Sequence, residues 1–407
     1  MSAGEANDGA GVSKGPLTGV KVLEFGSIYA GPFCCQLLAD MGAEVIKVER
    51  PGFPDPMRSW AHTDDENTSY SWAVVSRNKK CVTLDVRDRE GAQIFRELAS
   101  RSDVLVENFR PGRMESWGLG PDVLCELNPR LIYARVSGFG QTGPYAMRPG
   151  FGVIGEAMSG LRSITGYPDR PPVRAGVSIA DAIAGMFTAY GVAASLHERA
   201  TSGKGQVIDT ALYEGLFALM SDFIAIYEAL GVVKEPVGAK IPRVVPNGIF
   251  RTADKQYVVL ATGTDAVFAR FAKVMGRKDL AEKFPTPAAR ADNEDELIGV
   301  IEAWIAARSI EEVLETLRQA EVPAVKVYRA PDILADPQYV ARDMLLAVPW
   351  KGGGTVHVPG VVPKLSRTPG GVRSFLPELG QHSDEVYANM LGMSAEAIEK
   401  LRNRKVI

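Results

Sequence analysis

One carboxylate stands inside a run that is otherwise small or aliphatic, Gly176-Val177-Ser178-Ile179-Ala180-Asp181-Ala182-Ile183-Ala184-Gly185. A lone charge suits neither a core strand nor the middle of a buried helix. It does suit the start of a helix, where free backbone N–H groups and the helix dipole favour an anion. Met186, Phe187, Tyr190, Val192 and Leu196 recur at three- and four-residue steps and predict that helix. Two roles fit Asp181. One is a helix cap with no chemistry. The other is a nucleophile, flanked by glycines that let a ligand approach the backbone. An exposed aspartate has a pKa of about 3.9, so Asp181 is expected to be ionised at pH 7.

Other residues that could do chemistry fall in turns. Gly26-Ser27-Ile28-Tyr29-Ala30-Gly31-Pro32 sits where a Rossmann fold places its phosphate loop, yet it is neither GxGxxG nor a Walker A loop. An NAD or ATP site is not expected there, although a helix N-terminus still attracts anions. Short basic turns at 47–51, 76–80 and 108–112 put Arg50, Arg77, Lys79 and Arg110 near loops of one sheet. Together they could hold a multi-phosphate ligand; separately each reads as a solvated surface charge. The glycines of Gly138-Phe139-Gly140-Gln141-Thr142-Gly143-Pro144 permit close backbone approach, so amides at Gly138 and Gly140 could stabilise a developing oxyanion. Cys34, Cys35, Cys81 and Cys125 show no zinc spacing, and His62, His197, His357 and His382 form no ligand motif, so no metal is expected. The thiols read as reduced, in a cytoplasmic protein.

Strands alternating with helices must position these groups. Apolar runs at 20–25 (VKVLEF), 43–49 (AEVIKVE), 81–86, 103–107 (DVLVE), 131–136 (LIYARV) and 206–211 predict strands, with helices at 33–41 and 89–101. The pattern predicts a large, doubly wound, parallel α/β sheet with ligand chemistry at the strand C-terminal ends. Residues 212–230 read as one long apolar helix. Proline and glycine break the pattern at 231–247, a linker. A second, smaller α/β unit follows at 248–330, with strands at 257–260 and 322–327. A further linker covers 331–344, and a tail at 345–407 ends in a helix capped by Ser394. Residues 1–16 read as a disordered leader without the apolar core of a secretory signal.

With 407 residues, two domains are the natural expectation. Forty-six Lys and Arg against 49 Asp and Glu give a formal charge of −3, which offers no electrostatic reason for a nucleic-acid or anionic-membrane partner. No stretch reads as approaching the roughly 20 apolar residues of a membrane span.

Several ordered segments carry a family resemblance: 17–23 (LTGVKVL), 30–32 (AGP), 38–52 (LADMGAEVIKVERPG), 77–80 (RNKK), 103–112 (DVLVENFRPG), 128–133 (NPRLIY), 138–144 (GFGQTGP) and 203–206 (GKGQ). The chain resembles the class III CoA-transferases of the formyl-CoA transferase and carnitine CoA-transferase type (CaiB/BaiF) from about residue 17 to at least 381. Nearest in character are members that move CoA between dicarboxylates, such as succinyl-CoA:glutarate transferases. The resemblance implies that Asp181 is the nucleophile. It implies that CoA, a substrate and not a resident cofactor, lies along Tyr29, Ala30, Arg50, Val75, Ser76, Arg77, Asn78, Asn108, Phe109, Arg110 and the loop from Ser137 to Gly140. It further implies a homodimer of interlocked chains, with the segment after Met344 returning to the large domain.

Departures narrow the activity. α-Methylacyl-CoA racemases of the same fold carry a Gly-His-Asp motif where this chain has Gly150-Phe151-Gly152, and Phe151 cannot exchange a proton. Tyr29 replaces a glutamine of some formyl-CoA transferases, and 240–250 shows no glycine-rich lid, which argues against the oxalate/formate pair. Arg174, Arg243 and Tyr213 could meet a distal carboxylate or serve the surface. The reading is a CoA-transferase acting on an acyl-CoA and a free carboxylic acid. Its alternatives are a racemase of the same fold or a non-catalytic acyl-CoA-binding protein.

Overall fold

The computed structural model describes residues 15–350 and 353–407. The leader expected over 1–16 therefore lies outside the described residues, apart from Gly15 and Pro16. Contacts divide the chain into two compact units. The larger holds the chain up to Leu161, Arg174–Phe223 and Val340–Ile407; the smaller holds Arg162–Val173 and Ile224–Tyr339.

The larger unit is built on six strands: β1 (Lys21–Phe25), β2 (Glu44–Glu49), β3 (Lys79–Thr83), β4 (Val104–Glu107), β5 (Ile132–Ser137) and β6 (Val207–Ala211). They form one sheet in the order β3-β2-β1-β4-β5-β6, and every pairing is parallel. Leu23 of β1 stands beside Ile46 of β2 on one side and Leu105 of β4 on the other. A parallel sheet is covered on both faces, which is why runs such as VKVLEF and DVLVE are apolar almost throughout. Adjacent residues serve opposite faces. Leu23, Ile46, Leu105 and Tyr133 pack with Phe95, Leu98, Tyr387 and Leu401, whereas Val22, Val45, Val104 and Ile132 pack with Cys34, Leu38 and Val192. The first face is covered by helices of 89–100 and of the chain's last segment. The second is covered by α1 (Ala30–Asp40) and a long helix at Ile179–Ser202. The tail is tied down by Tyr387 Oη donating to Thr83 O at 2.6 Å and Asp85 N to Val406 O at 2.7 Å.

Strand order reverses between β1 and β4. Their neighbouring C-terminal ends diverge into separate loops, and that crevice is where doubly wound sheets bind ligands. The other helices of this unit include α2 (Tyr70–Val75), α3 (Arg89–Ser100), α4 (Arg113–Ser116), α5 (Pro121–Leu127), α6 (Gly152–Met158), α7 (Ile179–Ser202) and α8 (Glu214–Ala218).

Two expectations are corrected. The helix predicted over 212–230 is broken: α8 ends at Ala218 and another helix starts at Phe223, with Ser221 between them at φ +52°. Continuous apolar character hides such a break, because no glycine or proline marks it. And α7, at 24 residues, is long and apolar enough by composition to cross a membrane. Here it lays small residues, Ala180, Ala184, Gly185 and Thr188, into the core of the larger unit.

In the smaller unit, β7 (Asn247–Arg251), β8 (Tyr257–Ala261) and β9 (Ala324–Lys326) form an antiparallel sheet. Helices at Asp265–Val274, Glu294–Ala306 and Ile310–Gln319 bury Phe271, Ile301, Val313 and Leu317 with Val258 and Leu260 of β8.

Candidate active site

At the crevice between β1 and β4 lies a cavity of about 280 Å³. Its walls are the loop after β1 (Ser27 to Ala30), the loop after β4 (Asn108 to Arg110), the end of β5 (Val136 to Gly138), Pro149 to Phe151 ahead of α6, Leu212, and Asp181. The sheet thus gathers residues that stand far apart in the chain.

Asp181 is the third residue of α7, in the first turn. Two close approaches set it there. A Cβ on Gly152, the first residue of α6, would lie 1.8 Å from Asp181 Oδ2. One turn further along α7, a Cβ on Gly185 would lie 2.6 Å from Ala30 O, so α7 and the start of α1 touch backbone to side. The first of these approaches hems in the carboxylate. Burial raises its pKa to about 6, with its own backbone amide acting weakly the other way. This corrects the expectation of an ordinary exposed aspartate: the group is partly desolvated, and still mostly ionised at pH 7. Burial also raises the Tyr29 phenol, and the charge of Asp181 raises it further, so the two side chains sense each other across the cavity.

The loops around the carboxylate are fixed by polar side chains. Asn108 spans the crevice, accepting from Ser27 N at 2.9 Å and donating to Ser27 O at 2.8 Å. Glu107, the buried last residue of β4, accepts from Phe109 N at 2.7 Å and pairs with Arg135 of β5 at 2.7 Å. Burial outweighs that pairing and lifts the Glu107 carboxyl to about 7. Arg110 lines the cavity, and among the described residues no carboxylate pairs with it.

A second cavity of about 300 Å³ shares Ser27 and Phe109 with the first. Its lining includes Arg50, Arg87 and Arg113, the carboxylates Glu49, Asp55 and Asp85, and the rings of Phe53, Phe109 and Trp117. The Arg50 guanidinium lies 3.6 Å from the centre of the Phe53 ring and 3.4 Å from Asp85, and Arg113 stacks 4.6 Å from Trp117. Arg87 is spent on Asp85 and Arg50 is paired with it, so the rings and Arg113 are the features that suit a flat base carrying phosphates.

The residues expected to bind CoA separate into three groups. Tyr29, Ala30, Asn108, Phe109, Arg110, Ser137 and Gly138 line the cavity that holds Asp181. Arg50 lines the second cavity. Val75, Ser76, Arg77 and Asn78 line neither. Val75 packs with Met57, Trp72 and Cys81; Ser76 Oγ donates to Trp72 O at 2.6 Å. Arg77 pairs with Asp40 at 2.6 Å and donates to Pro359 O, and Asn78 donates to Asp40 and Gly371 O while accepting from Arg373 N. Those side chains lock the end of α1 to the C-terminal segment. Lys79 is equally committed, fully buried against Glu24 at 2.6 Å. Gly140, at φ +85°, faces Asp209, which accepts from Gln141 N at 2.9 Å, and lines neither cavity. Arg174 donates to the carbonyls of Ala175 and Val177 in its own loop. Sequence reasoning missed Gly152 and Ile28. Gly152 shows only as an extra glycine in PGFG, and no local signal betrays its contact with Asp181.

The strand order is that of a doubly wound α/β fold, and the desolvated carboxylate of Asp181 lines a cavity at its switch point, where such folds bind ligands. The family is settled by comparison. The model for CoA-transferase family III matches residues 17–383, and the chain belongs to that family. It is 45% identical over 394 residues to the succinyl-CoA–D-citramalate CoA-transferase of Chloroflexus aurantiacus, spanning 96% of this chain and 98% of that one. It is 40% identical to the beta subunit of that organism's succinyl-CoA–L-malate CoA-transferase, over 96% of this chain and 98% of that one. Among solved structures, a CaiB/BaiF family protein from Brucella suis superposes with a TM-score of 0.83 at 33% identity, covering 93% of this chain and all of that one. The protein is a CoA-transferase, with an acyl-CoA and a free carboxylic acid as its substrates.

Proposed function

We propose that this enzyme takes CoA from succinyl-CoA and passes it to a second small dicarboxylic acid through a covalent chain of intermediates on Asp181. The observation that carries the reading is a single partly desolvated carboxylate, raised to about 6, at the cavity where the β1 and β4 loops meet. Transferases of Chloroflexus aurantiacus named for succinyl-CoA with citramalate or malate support the substrate class, as does a human succinyl-CoA:glutarate CoA-transferase at 32% identity over 96% of this chain.

The chemistry needs no net proton. Asp181 attacks the thioester carbonyl, the C–S bond breaks, and CoA leaves as thiolate, giving a succinyl–aspartyl anhydride. The thiolate attacks the aspartyl carbonyl and expels succinate, leaving CoA on Asp181 as a thioester. The acceptor carboxylate attacks that thioester and releases the thiolate, which then attacks the acceptor's acyl carbonyl and frees Asp181. Each tetrahedral oxyanion needs N–H donors. The opening amides of α1, at Ala30 and Gly31, lack helical acceptors by their position, and Ala30 and Gly138 stand at the cavity wall. In this reading Arg110, which lines the cavity, holds the distal carboxylate, and the second cavity, with Arg50, Arg113 and Trp117, takes the nucleotide end of CoA.

Racemisation is disfavoured because Phe151, which lines the cavity and is 63% exposed, offers no base on the second face of the substrate. The four cysteines are free, in keeping with a cytoplasmic enzyme. The proposed assembly is a homodimer with interlocked chains. Support comes from the exposed apolar side chains of α7, Met186, Phe187 and Tyr190, the last 71% exposed, which ask for cover.

The test is to trap the intermediate. The enzyme is incubated with succinyl-CoA, quenched with hydroxylamine and digested. A hydroxamate on Asp181, formed only with the CoA ester present, is expected. An unmodified Asp181 in enzyme that is turning over overturns the assignment.

A further inference from the structure

The turn from Gly26 to Pro32 carries Tyr29 and Ala30 to the wall opposite Asp181, and one residue in it is strained. Ile28 has φ +68°. A β-branched residue in the left-handed region is a genuine outlier, since its side chain crowds the backbone there. Something must hold it. The Ile28 amide donates to Asp55 Oδ1 at 3.0 Å, and Asp55 Oδ2 is ion-paired with Lys47 Nζ at 2.8 Å. Lys47 is fully buried on β2, pairs with Glu24 of β1 at 2.8 Å, and donates to Gly26 O at 2.9 Å. The second buried lysine, Lys79, pairs with the other oxygen of Glu24 and donates to Pro32 O at 2.7 Å. So Lys47 clamps the first residue of the turn, Lys79 the last, and Asp55 the middle.

Burying four charges costs stability unless each is paired, and an apolar replacement of similar volume is often no less stable. Burial pushes Lys47 down, but Glu24, Asp55 and Glu49 outweigh it and hold the ammonium well above its usual range; Asp55 is held low by Lys47 against its own burial. Lys47 and Asp55 are therefore held charged, and Lys47, Asp55 and Lys79 each spend a bond on the turn while Glu24 ties the two lysines together. Stability alone does not call for that aim.

We propose that Glu24, Lys47, Lys79 and Asp55 form a positioning cage, in which Asp55 holds Ile28 in its strained conformation so that Tyr29 and the amides opening α1 face Asp181. The proposal rests on the assignment of this cavity as the transfer site. Glu24, Lys47 and Lys79 line neither cavity; Asp55 borders the second cavity as well, and its part in the cage is played through the turn, by its bond to the Ile28 amide. Strain held by surrounding structure is what a preorganised site requires, and a shift of about 1 Å in such a site costs roughly 100-fold in rate.

The experiment compares Asp55→Ala, Asp55→Asn and the double variant Asp55→Ala/Ile28→Gly in the full-length protein. Loss of the acceptor in Asp55→Ala is expected to lower kcat roughly 10- to 100-fold, with KM for succinyl-CoA within about twofold. Glycine adopts φ +68° without strain, so Ile28→Gly is expected to restore roughly tenfold of that loss. Asn keeps an oxygen toward Ile28 N–H, so Asp55→Asn is expected to lose roughly tenfold less than Asp55→Ala. A merely structural Asp55 would give the opposite pattern: kcat per folded site unchanged in Asp55→Ala, or further loss when glycine is added. Either result overturns the cage. Hydrogen exchange of the 26–33 peptide reads the turn without turnover. Exchange faster than wild type is expected in Asp55→Ala and not in Asp181→Ala; unchanged exchange in Asp55→Ala overturns the proposal. A wild-type enzyme that transfers CoA while Asp181→Ala does so equally well would instead remove the site assignment and leave the exchange result standing.

Discussion

Replacing Asp181 by Asn should make the protein more stable while it removes catalysis. The carboxyl is raised from 3.8 to about 6, chiefly by burial. That rise, about two decades in proton affinity, means that the folded state disfavours the ionised form by about 3 kcal/mol, at roughly 1.4 kcal/mol per decade. The sign follows from proton binding. An acid whose folded pKa exceeds its unfolded one keeps its proton longer when folded, so folding is penalised only where the unfolded chain has ionised. The penalty is absent below about pH 4, grows between 4 and 6, and is complete above 6. Asn fills the same volume and never ionises. The variant should therefore match wild type at pH 4 and exceed it at pH 8 by up to about 3 kcal/mol, which for the larger unit is a rise of roughly 5 °C in Tm. The assay is thermal and urea unfolding of both proteins at closely spaced pH values from about 4 to 8, with transferase activity measured alongside. A difference that does not vary with pH, or a wild type more stable than the variant at pH 8, would refute the claim that this carboxylate is held ionised against its surroundings.

Three further outcomes follow from the same geometry. The rate of wild-type transfer should fall about tenfold per pH unit below about pH 6, as Asp181 takes up its proton, and the limb should be read from kcat/KM for succinyl-CoA; a limb near 4 would contradict the burial. Gly152→Ala places a Cβ 1.8 Å from Asp181 Oδ2 and should lower kcat by roughly 100-fold, while equilibrium dialysis still detects CoA binding; activity within about threefold of wild type would show that the contact is not tight. Arg110→Ala should raise KM for succinyl-CoA by roughly tenfold and leave KM for acetyl-CoA nearly unchanged, because only the former has a distal carboxylate; equal rises for both esters would move Arg110 to the CoA phosphates.

The frame of the larger unit is legible because parallel strands, buried on both faces, write themselves as short, mainly apolar β-branched runs, as VKVLEF and DVLVE do despite the charges of Glu24 and Glu107. The position of Asp181 is legible for a related reason: a charge amid small residues has few places to stand, and the first turn of α7 is one of them. What could not be seen is set by contacts distant in the chain. Arg77 and Lys79 read as loop cations, yet Asp40 at the end of α1 claims one and Glu24 of β1 the other. A sequence displays charge but not its partner, so two cations that read as ligand-binding are spent inside the fold. The raised pKa of Asp181 is hidden for the same reason, since the atoms that desolvate it include Gly152, on a short helix with no strong signal of its own. In the smaller unit β7 was missed because it follows a proline-rich stretch, where propensity favours a loop and pairing with β8 decides otherwise.

A carboxylate is a poor nucleophile when water solvates it well, and an anhydride is quickly lost when water can reach it. Both problems are met by crowding the group. The close approach of Gly152 leaves Asp181 no room for a full hydration shell, and a pKa of about 6 is high enough to sharpen its attack yet low enough to keep it mostly anionic at pH 7. Crowding alone would let a flexible loop collapse onto the charge, however, and neutralise it with a backbone amide in the resting state. The turn that carries the opposing amides is prevented from doing so by Asn108 on one side and the Lys47–Asp55 pair on the other. Destabilisation at Asp181 and rigidity at Ile28 are thus two halves of one requirement: donors must stay where the oxyanion will form, and not move to where the carboxylate already is.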